Sequence, residues 1–323
     1  HMYERRKPVS VVIETEGLSK VYEGALKGQD VHALTDLSLS INEGEIFGYL
    51  GPNGSGKTTT IKLLLGLIFP TSGKMKILGR EDISSAEVKK QIGYLPEGAY
   101  YPDFLRGEEI LYFYGRLYGL SGADLSQRVD KVIEEVGMTH ARNRLLRGYS
   151  KGMRQRIGLA QALISDPQIL ILDEPTTGLD PIARKEIRDI LARLRDRGKS
   201  LLISSHELLE VELISDRVGI LYEGKLQTLG TINELLSDRD LNIEIAGASD
   251  EILSRLATKG LLKDDQVGDR VRLRVNEGIS SYDALAMLKE ENLTLLSVAP
   301  RRETLEDLFV RVVGDAQSKR SEN

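Results

Sequence analysis

Two short runs carry residue types and spacings that do chemistry on phosphate. The first, Gly51-Pro52-Asn53-Gly54-Ser55-Gly56-Lys57-Thr58, fits G-x-x-x-x-G-K-[ST] at every fixed position. Glycines let the backbone curl so that successive N–H groups point at one anion. A helix starting there would add its positive N-terminal end. Lys57 would reach the β- and γ-phosphates, and the Thr58 hydroxyl, followed by Thr59, would face Mg²⁺. The second run, Ile169-Leu170-Ile171-Leu172-Asp173-Glu174, is apolar until its last two residues. Asp173 would hold Mg²⁺ through water, and Glu174 would polarise an attacking water. Taken singly, the first run could be a glycine-rich turn and the second a strand end capped by two acids. Together they point to a nucleotide.

The elements around them read as alternating strands and helices. Glu45–Leu50 is a short apolar strand entering the phosphate loop, and Thr58–Phe69 has helical character up to the turn Pro70-Thr71-Ser72-Gly73. Strands are expected over 9–23, His32–Ile41 and Lys74–Leu78. From Arg106 to Val136 apolar residues recur at helical spacing, as they do over Ser150–Ile164. Ile169–Leu172, Leu201–Ser204 and Arg217–Tyr222 read as strands, with helices over Pro181–Arg197 and Glu207–Ser215 between them. This alternation predicts an α/β fold with a mostly parallel sheet. Beyond residue 235 the order becomes βαββαβ, which suits a small ferredoxin-like α+β domain over 240–314. It closes with a short helix, Thr304–Val313, and residues 315–323 are polar enough to be expected disordered.

Composition narrows the function. The 323 residues suggest two domains, and a hydrophobic fraction of 41 % can bury sizeable cores. No apolar run approaches the ~18–20 residues of a membrane helix. His1-Met2 looks like a tag remnant. The absence of cysteine excludes disulfides and thiolate metal sites and fits a cytoplasmic protein. Only 4 histidines argue against an imidazole cluster, and a net charge of −5 gives no sign of a nucleic-acid partner.

Three further motifs follow in order. Tyr149-Ser150-Lys151-Gly152-Met153 precedes the Asp173 strand, Gly178-Leu179-Asp180 follows Glu174, and Ser204-Ser205-His206 ends the next strand. The series resembles the ATP-binding cassette of ABC transporters over residues 9–235, most closely the bacterial ABC-2-type exporter cassettes with a C-terminal accessory domain. The resemblance implies a P-loop NTPase with a RecA-like core, an antiparallel β subdomain and a helical subdomain at about 98–160. It also implies ATP and Mg²⁺ as ligands. In the matching positions Tyr22 would stack on adenine and residues 51–59 hold phosphate. Glu174 would be the general base and His206 the switch histidine at the γ-phosphate. Asp180 would cross a dimer interface, and Ser150 and Gly152 would contact the γ-phosphate bound by a second cassette. Two departures stand out. The family's usual signature is LSGGQ, so Lys151 and Met153 are variants. The Q-loop glutamine position holds Glu97, which can ligate Mg²⁺ through oxygen but adds negative charge beside Asp173.

The resemblance implies a homodimer or heterodimer, working from the inner face of the cell membrane under a separate permease. Eight of the 12 tyrosines and 5 phenylalanines lie between Tyr94 and Tyr118. Those at helical spacing suit a subdomain core. The Tyr100–Phe104 loop suits equally a groove for a permease's cytoplasmic helix. The mixed charges of Pro181–Arg197 read as a solvated face, and the C-terminal domain as a structural or dimer-supporting module. The alternative is a soluble ABC ATPase acting on nucleic acid or ribosomes. One phosphate loop in the chain and the lack of heptads between Lys57 and Ser150 weigh against it. A cassette that binds without hydrolysing is disfavoured by Glu174 and His206.

Overall fold

A computed structural model describes residues 10–24, 30–98, 100–236, 238–276 and 279–321. The expected strand start at residue 9 and the last two residues of the tail lie outside this set. The chain divides into two compact units, one of residues 1–232 with 309–323 and one of residues 233–308.

The first unit is organised by a six-stranded sheet. Ile92–Leu95, Ile169–Asp173, Ser200–Ser205, Ile46–Leu50 and Arg217–Tyr222 lie side by side in that order, all parallel, and Lys225–Thr231 closes the edge antiparallel. Every residue of the three central strands is buried. This is why they read as unbroken apolar runs rather than alternating ones. A second, antiparallel sheet of Val31–Asn42, Val11–Tyr22 and Ser72–Ile77 supplies the β subdomain. Its inner residues Ile13, Leu18, Leu37 and Ile41 join Phe47, Tyr49 and Ile61 in one core. Helices Gly107–Leu117, Gly122–Glu135 and Lys151–Leu163 share another core with Leu170 and Leu172 of the central sheet. Tyr112, Tyr114 and Tyr118 pack against that core, as the helical spacing suggested, and so does Tyr101 from the preceding loop.

The helix behind the phosphate loop is shorter than expected, Lys57–Leu64 instead of running to Phe69. Gly66, at φ +63°, ends it. The Gly66 N–H donates to Leu63 O and the Leu67 N–H to Lys62 O, the paired bonds of a glycine C-cap.

The second unit has the order strand, helix, two strands, helix, strand. Its sheet runs Leu261–Val267, Arg270–Val275, Asp238–Ala246, Thr294–Arg302, antiparallel throughout. Ile243, Ile245, Val271, Leu273 and Val275 alternate onto one face and meet Leu253, Leu256, Ala284 and Leu288 of its two helices. Ser249 and Ser280 cap those helices. The expected disordered tail is corrected by the structure: the last helix runs Leu305–Ser321. Thr304 and Asp307 bond each other's backbone amides at its start, and Gln317 donates to the Tyr222 hydroxyl at 3.1 Å.

Candidate nucleotide site

Ligands of open α/β sheets bind at the carboxyl ends of the strands. Four neighbouring parallel strands here end in the expected residues. Leu95 leads to Glu97, Ile169–Asp173 ends in the acid pair, Ser205 leads to His206, and Leu50 leads into the phosphate loop. The register sets Leu50 beside Ser205 and Asp173 beside Ser204. Residues far apart in sequence are thereby gathered on one edge.

The loop is shaped for an anion. A Cβ on Gly51 would lie 2.3 Å from Ser55 Oγ and 2.4 Å from Leu221 O, and one on Gly56 would lie 2.5 Å from Ala33 O. Only glycine fits either place. Space above Gly54 is open to 4 Å. Ser55 Oγ is buried with no hydrogen-bond partner, so an incoming acceptor would satisfy it. The Lys57 ammonium, 7 % exposed, folds back on the loop and donates to Gly51 O and to Pro52 O at 3.2 Å. Burial pushes it below its ordinary pKa, while the charges of Glu174, Asp173 and Glu97 pull the other way. Thr58 is exposed and Thr59 half-buried at the start of the helix. A buried hydroxyl without a partner and a cation bent onto carbonyls fit a triphosphate.

Asp173 and Glu174 are 6 % and 7 % exposed. Ser204 Oγ donates to Asp173 Oδ1. Burial raises the Asp173 carboxyl above its ordinary value and Glu174 and Glu97 add to the rise; the Ser204 hydrogen bond and Lys57 oppose it. Glu174 adopts φ +51°, its amide donating to Ser204 O at 3.0 Å. Its Oε1 lies 2.8 Å from His206 Nδ1, and its Oε2 accepts from Thr177 Oγ1 at 2.7 Å. Glu97 is exposed, and its charge acts on Lys57, Asp173 and Tyr94, which puts it at the rim of this group. Among the described residues no set of three or more His, Asp or Glu side chains forms a metal cage. Mg²⁺ commonly binds through one or two protein oxygens and the substrate's phosphates, and Thr58 with Asp173 suits that pattern.

The remaining expected residues have local partners of their own. Tyr22 ends its strand 40 % exposed, with Lys20 Nζ 5.3 Å from its ring centre. Ser150 caps the helix Lys151–Leu163, its Oγ accepting from Met153 N–H at 3.2 Å. Gly152 is buried, and a Cβ there would meet Ala183 at 2.9 Å. Asp180 caps the helix Pro181–Asp196 through bonds from the Ile182 and Ala183 amides at 3.0 and 2.9 Å. Lys151 extends over Gly178: its Nζ would be 2.2 Å from a Cβ there. Among the described residues no hydrogen bond ties Ser150, Gly152 or Asp180 to the phosphate loop.

Sequence reasoning missed Ser204 and Thr177 as supports of the two acids, and Thr176 as a partner of Glu207. It missed Glu207 and Arg184, which bond across the same loops. Serine and threonine beside a strand-end acid are too common to signal such a role. Tyr101 belongs to the core rather than to a groove, its hydroxyl 3.1 Å from Gln161 Oε1, whereas Tyr100 and Phe104 are 95 % and 75 % exposed.

The fold and this edge define a P-loop nucleotide-binding ATPase. The family model described as ABC transporter matches residues 34–177. An uncharacterized ABC transporter ATP-binding protein of Synechocystis is 38 % identical over 95 % of this chain and 86 % of its own. The bacitracin transport ATP-binding protein of Bacillus licheniformis is 35 % identical over 95 % of this chain and 98 % of its own. The solved structure of an ATP-binding subunit of an ABC transporter matches with a TM-score of 0.59 and 30 % identity, covering 69 % of this chain and 91 % of that one. The chain belongs to the ABC transporter family as an ATP-binding subunit with the ATPase domain. The alternative of a soluble ATPase acting on nucleic acid or ribosomes finds no support among these relatives. Among the described residues no helix is long and apolar enough to cross a membrane.

Proposed function

We propose that this chain binds Mg·ATP at the edge described above and hydrolyses it with Glu174 as general base. A second cassette closes head to tail over the nucleotide, and the cycle drives a separate permease, in the direction of export. The observation that carries the reading is the Glu174 carboxylate, buried beside Asp173 and 2.8 Å from His206.

Loop amides 51–59 and Lys57 hold the phosphates, and Tyr22 stacks on the base with the ring face away from Lys20. Thr58 and Asp173, with Glu97 at the rim, would hold Mg²⁺, which when bound neutralises phosphate charge. Glu174 takes the proton of a water attacking the γ-phosphorus as the bond to the β-phosphate oxygen breaks. His206 donates Nδ1–H to Glu174 and keeps its other edge for the γ-phosphate. Ser150, Gly152 and Asp180, with no hydrogen bond to their own loop among the described residues, serve the nucleotide of the partner cassette. The family and its transport relative support a permease above the cassette and a working place on the inner face of the membrane.

Glu174→Gln tests the chemistry. Steady turnover should fall by about 10²–10⁴-fold with ATP affinity retained, the usual share of a general base. Unchanged turnover would remove Glu174 from the role. Docking is tested at Tyr100 and Phe104, because Tyr101 supports the core. Replacing both by Glu should abolish transport by the assembled transporter and leave basal hydrolysis within about twofold, as for surface positions away from chemistry. Normal transport would rule out this loop.

A further inference from the structure

The segments that bring Glu174 and His206 together are cross-tied by side chains with no part in the chemistry above. Glu207 follows His206 directly. Its Oε2 accepts from Thr176 Oγ1 at 3.2 Å, and its Oε1 lies 3.0 Å from Arg184 Nη2. Arg184 Nε donates to Leu179 O at 2.9 Å. Its Nη1 is 3.9 Å from Glu210 Oε1, and Glu210 Oε2 pairs with Arg188. The Glu207 amide donates to Ser205 Oγ at 2.9 Å, fixing the turn that carries His206. One carboxylate and one guanidinium thus grip the loop after Glu174 at two points, Thr176 and Leu179, and tie both to the residue beside His206.

We propose that Glu207 and Arg184 are positioning residues that hold the Glu174 carboxylate and the His206 ring in register. The proposal rests on the reading that those two groups serve hydrolysis. Two observations support it. Glu174 keeps a left-handed backbone at φ +51°, a conformation that costs a non-glycine residue energy and persists only where its surroundings over-determine it. The ties on Thr176 and Leu179 supply that constraint within five residues. In addition, the pairs are largely withdrawn from water: the side chains of Glu207 and Glu210 are 19 % and 9 % exposed, those of Arg184 and Arg188 31 % and 20 %. Withdrawn ion pairs add little net stability against apolar residues of the same size. Their strength is geometric, since a planar guanidinium holds carboxylate and carbonyl oxygens at fixed angles.

The test is steady-state ATPase kinetics on the full chain, with Glu207→Ala, Glu207→Gln and Arg184→Ala made alone and in a His206→Ala background. Each alanine variant should lower kcat about tenfold to a hundredfold, the scale of a misplaced reacting group, with the KM for ATP within about twofold. Glu207→Gln keeps a partner for Thr176 and loses the charge pair, so it should fall between wild type and alanine. It also stands in for Glu207→Ala if that variant does not fold. In the His206→Ala background the Glu207 substitutions should cost clearly less than in wild type, because the part of the effect that runs through His206 is already lost and coupled residues are non-additive. The clamp is overturned if the Glu207 variants keep wild-type kcat while Glu174→Gln and His206→Ala lose it. It is equally overturned if their full effect persists without His206, as a general packing defect would. If Glu174→Gln retains turnover, the underlying reading fails and the clamp with it.

Discussion

At the scale of single residues, Asp173 shows how the site sets stability against function. Its carboxylate is 6 % exposed and its pKa is raised, first by burial and then by the charges of Glu174 and Glu97. A group whose folded pKa lies above its unfolded value favours folding below the unfolded pKa, about 3.9 for Asp. It loses that contribution as pH rises through the folded pKa. The fold therefore disfavours the ionised form of Asp173 relative to the unfolded chain. Asp173→Asn removes the charge and keeps an oxygen to accept from Ser204. Lys57 loses one of its three carboxylate neighbours, which offsets part of the gain. The ligand-free variant should melt about 2 °C or more above wild type at pH 7, with the difference shrinking as pH falls and Asp173 itself protonates. A water-mediated ligand lost should weaken Mg²⁺ affinity about tenfold to a hundredfold and depress turnover with it. Calorimetry across pH, with and without Mg·ATP, checks both signs. A lower melting temperature at pH 7 would contradict this account of the buried charge.

At the scale of elements, Asp180 has two readings that one pair of variants separates. Within the chain it is the N-cap of Pro181–Asp196, accepting from two amides. As a residue at a dimer interface it would act through its charge. Asn caps as well as Asp does. Asp180→Asn should therefore keep wild-type stability, and Asp180→Ala should lose about 1 kcal/mol, read by denaturant unfolding. If Asn also lowers cooperative ATP turnover at unchanged stability, the charge works beyond the cap. The same elements show what a sequence discloses. The central strands were legible because burial on both faces leaves their middles apolar, with polar residues only at the ends, and Asp173, Glu174 and His206 because they fall at those ends. Ile92–Leu95 was not legible as a strand. It is four residues long, and its partner is Ile169–Leu172, far along the chain. Lys225–Thr231 carries Lys225 and Gln227 on an edge, with too little apolar pattern to register. The helix end at Gly66 was printed in the sequence, yet an apolar run continuing to Phe69 masked it. The Glu207–Arg184 pair could not be read at all, since it depends on how two loops meet.

At the scale of the whole molecule, the main constraint is that no hydrogen bond among the described residues joins the signature residues to the phosphate loop. Lys57, Asp173, Glu174 and His206 gather on one edge, whereas Ser150 spends its hydroxyl on its own helix and has no bond to that edge. A hydroxyl opening a helix is well placed for an anion, and in the head-to-tail reading that anion is the partner's γ-phosphate. In a Glu174→Gln background, where ATP persists uncleaved, the chain should pass from a 35.9 kDa monomer to a species of twice that mass when Mg·ATP is added. Ser150→Asp in the same background is the discriminating variant. Aspartate is as good an N-cap as serine, so the helix and the melting temperature should hold. Its carboxylate would face a phosphate of like charge across the closed interface, a juxtaposition that costs several kcal/mol. ATP-driven doubling should then disappear in sedimentation, while ATP binding to the monomer, which uses the phosphate loop, stays within about twofold. Doubling that survives Ser150→Asp would place the signature outside the interface. Loss of ATP binding by the monomer would mean that Ser150 serves its own loop, and one chain would then hold a complete site.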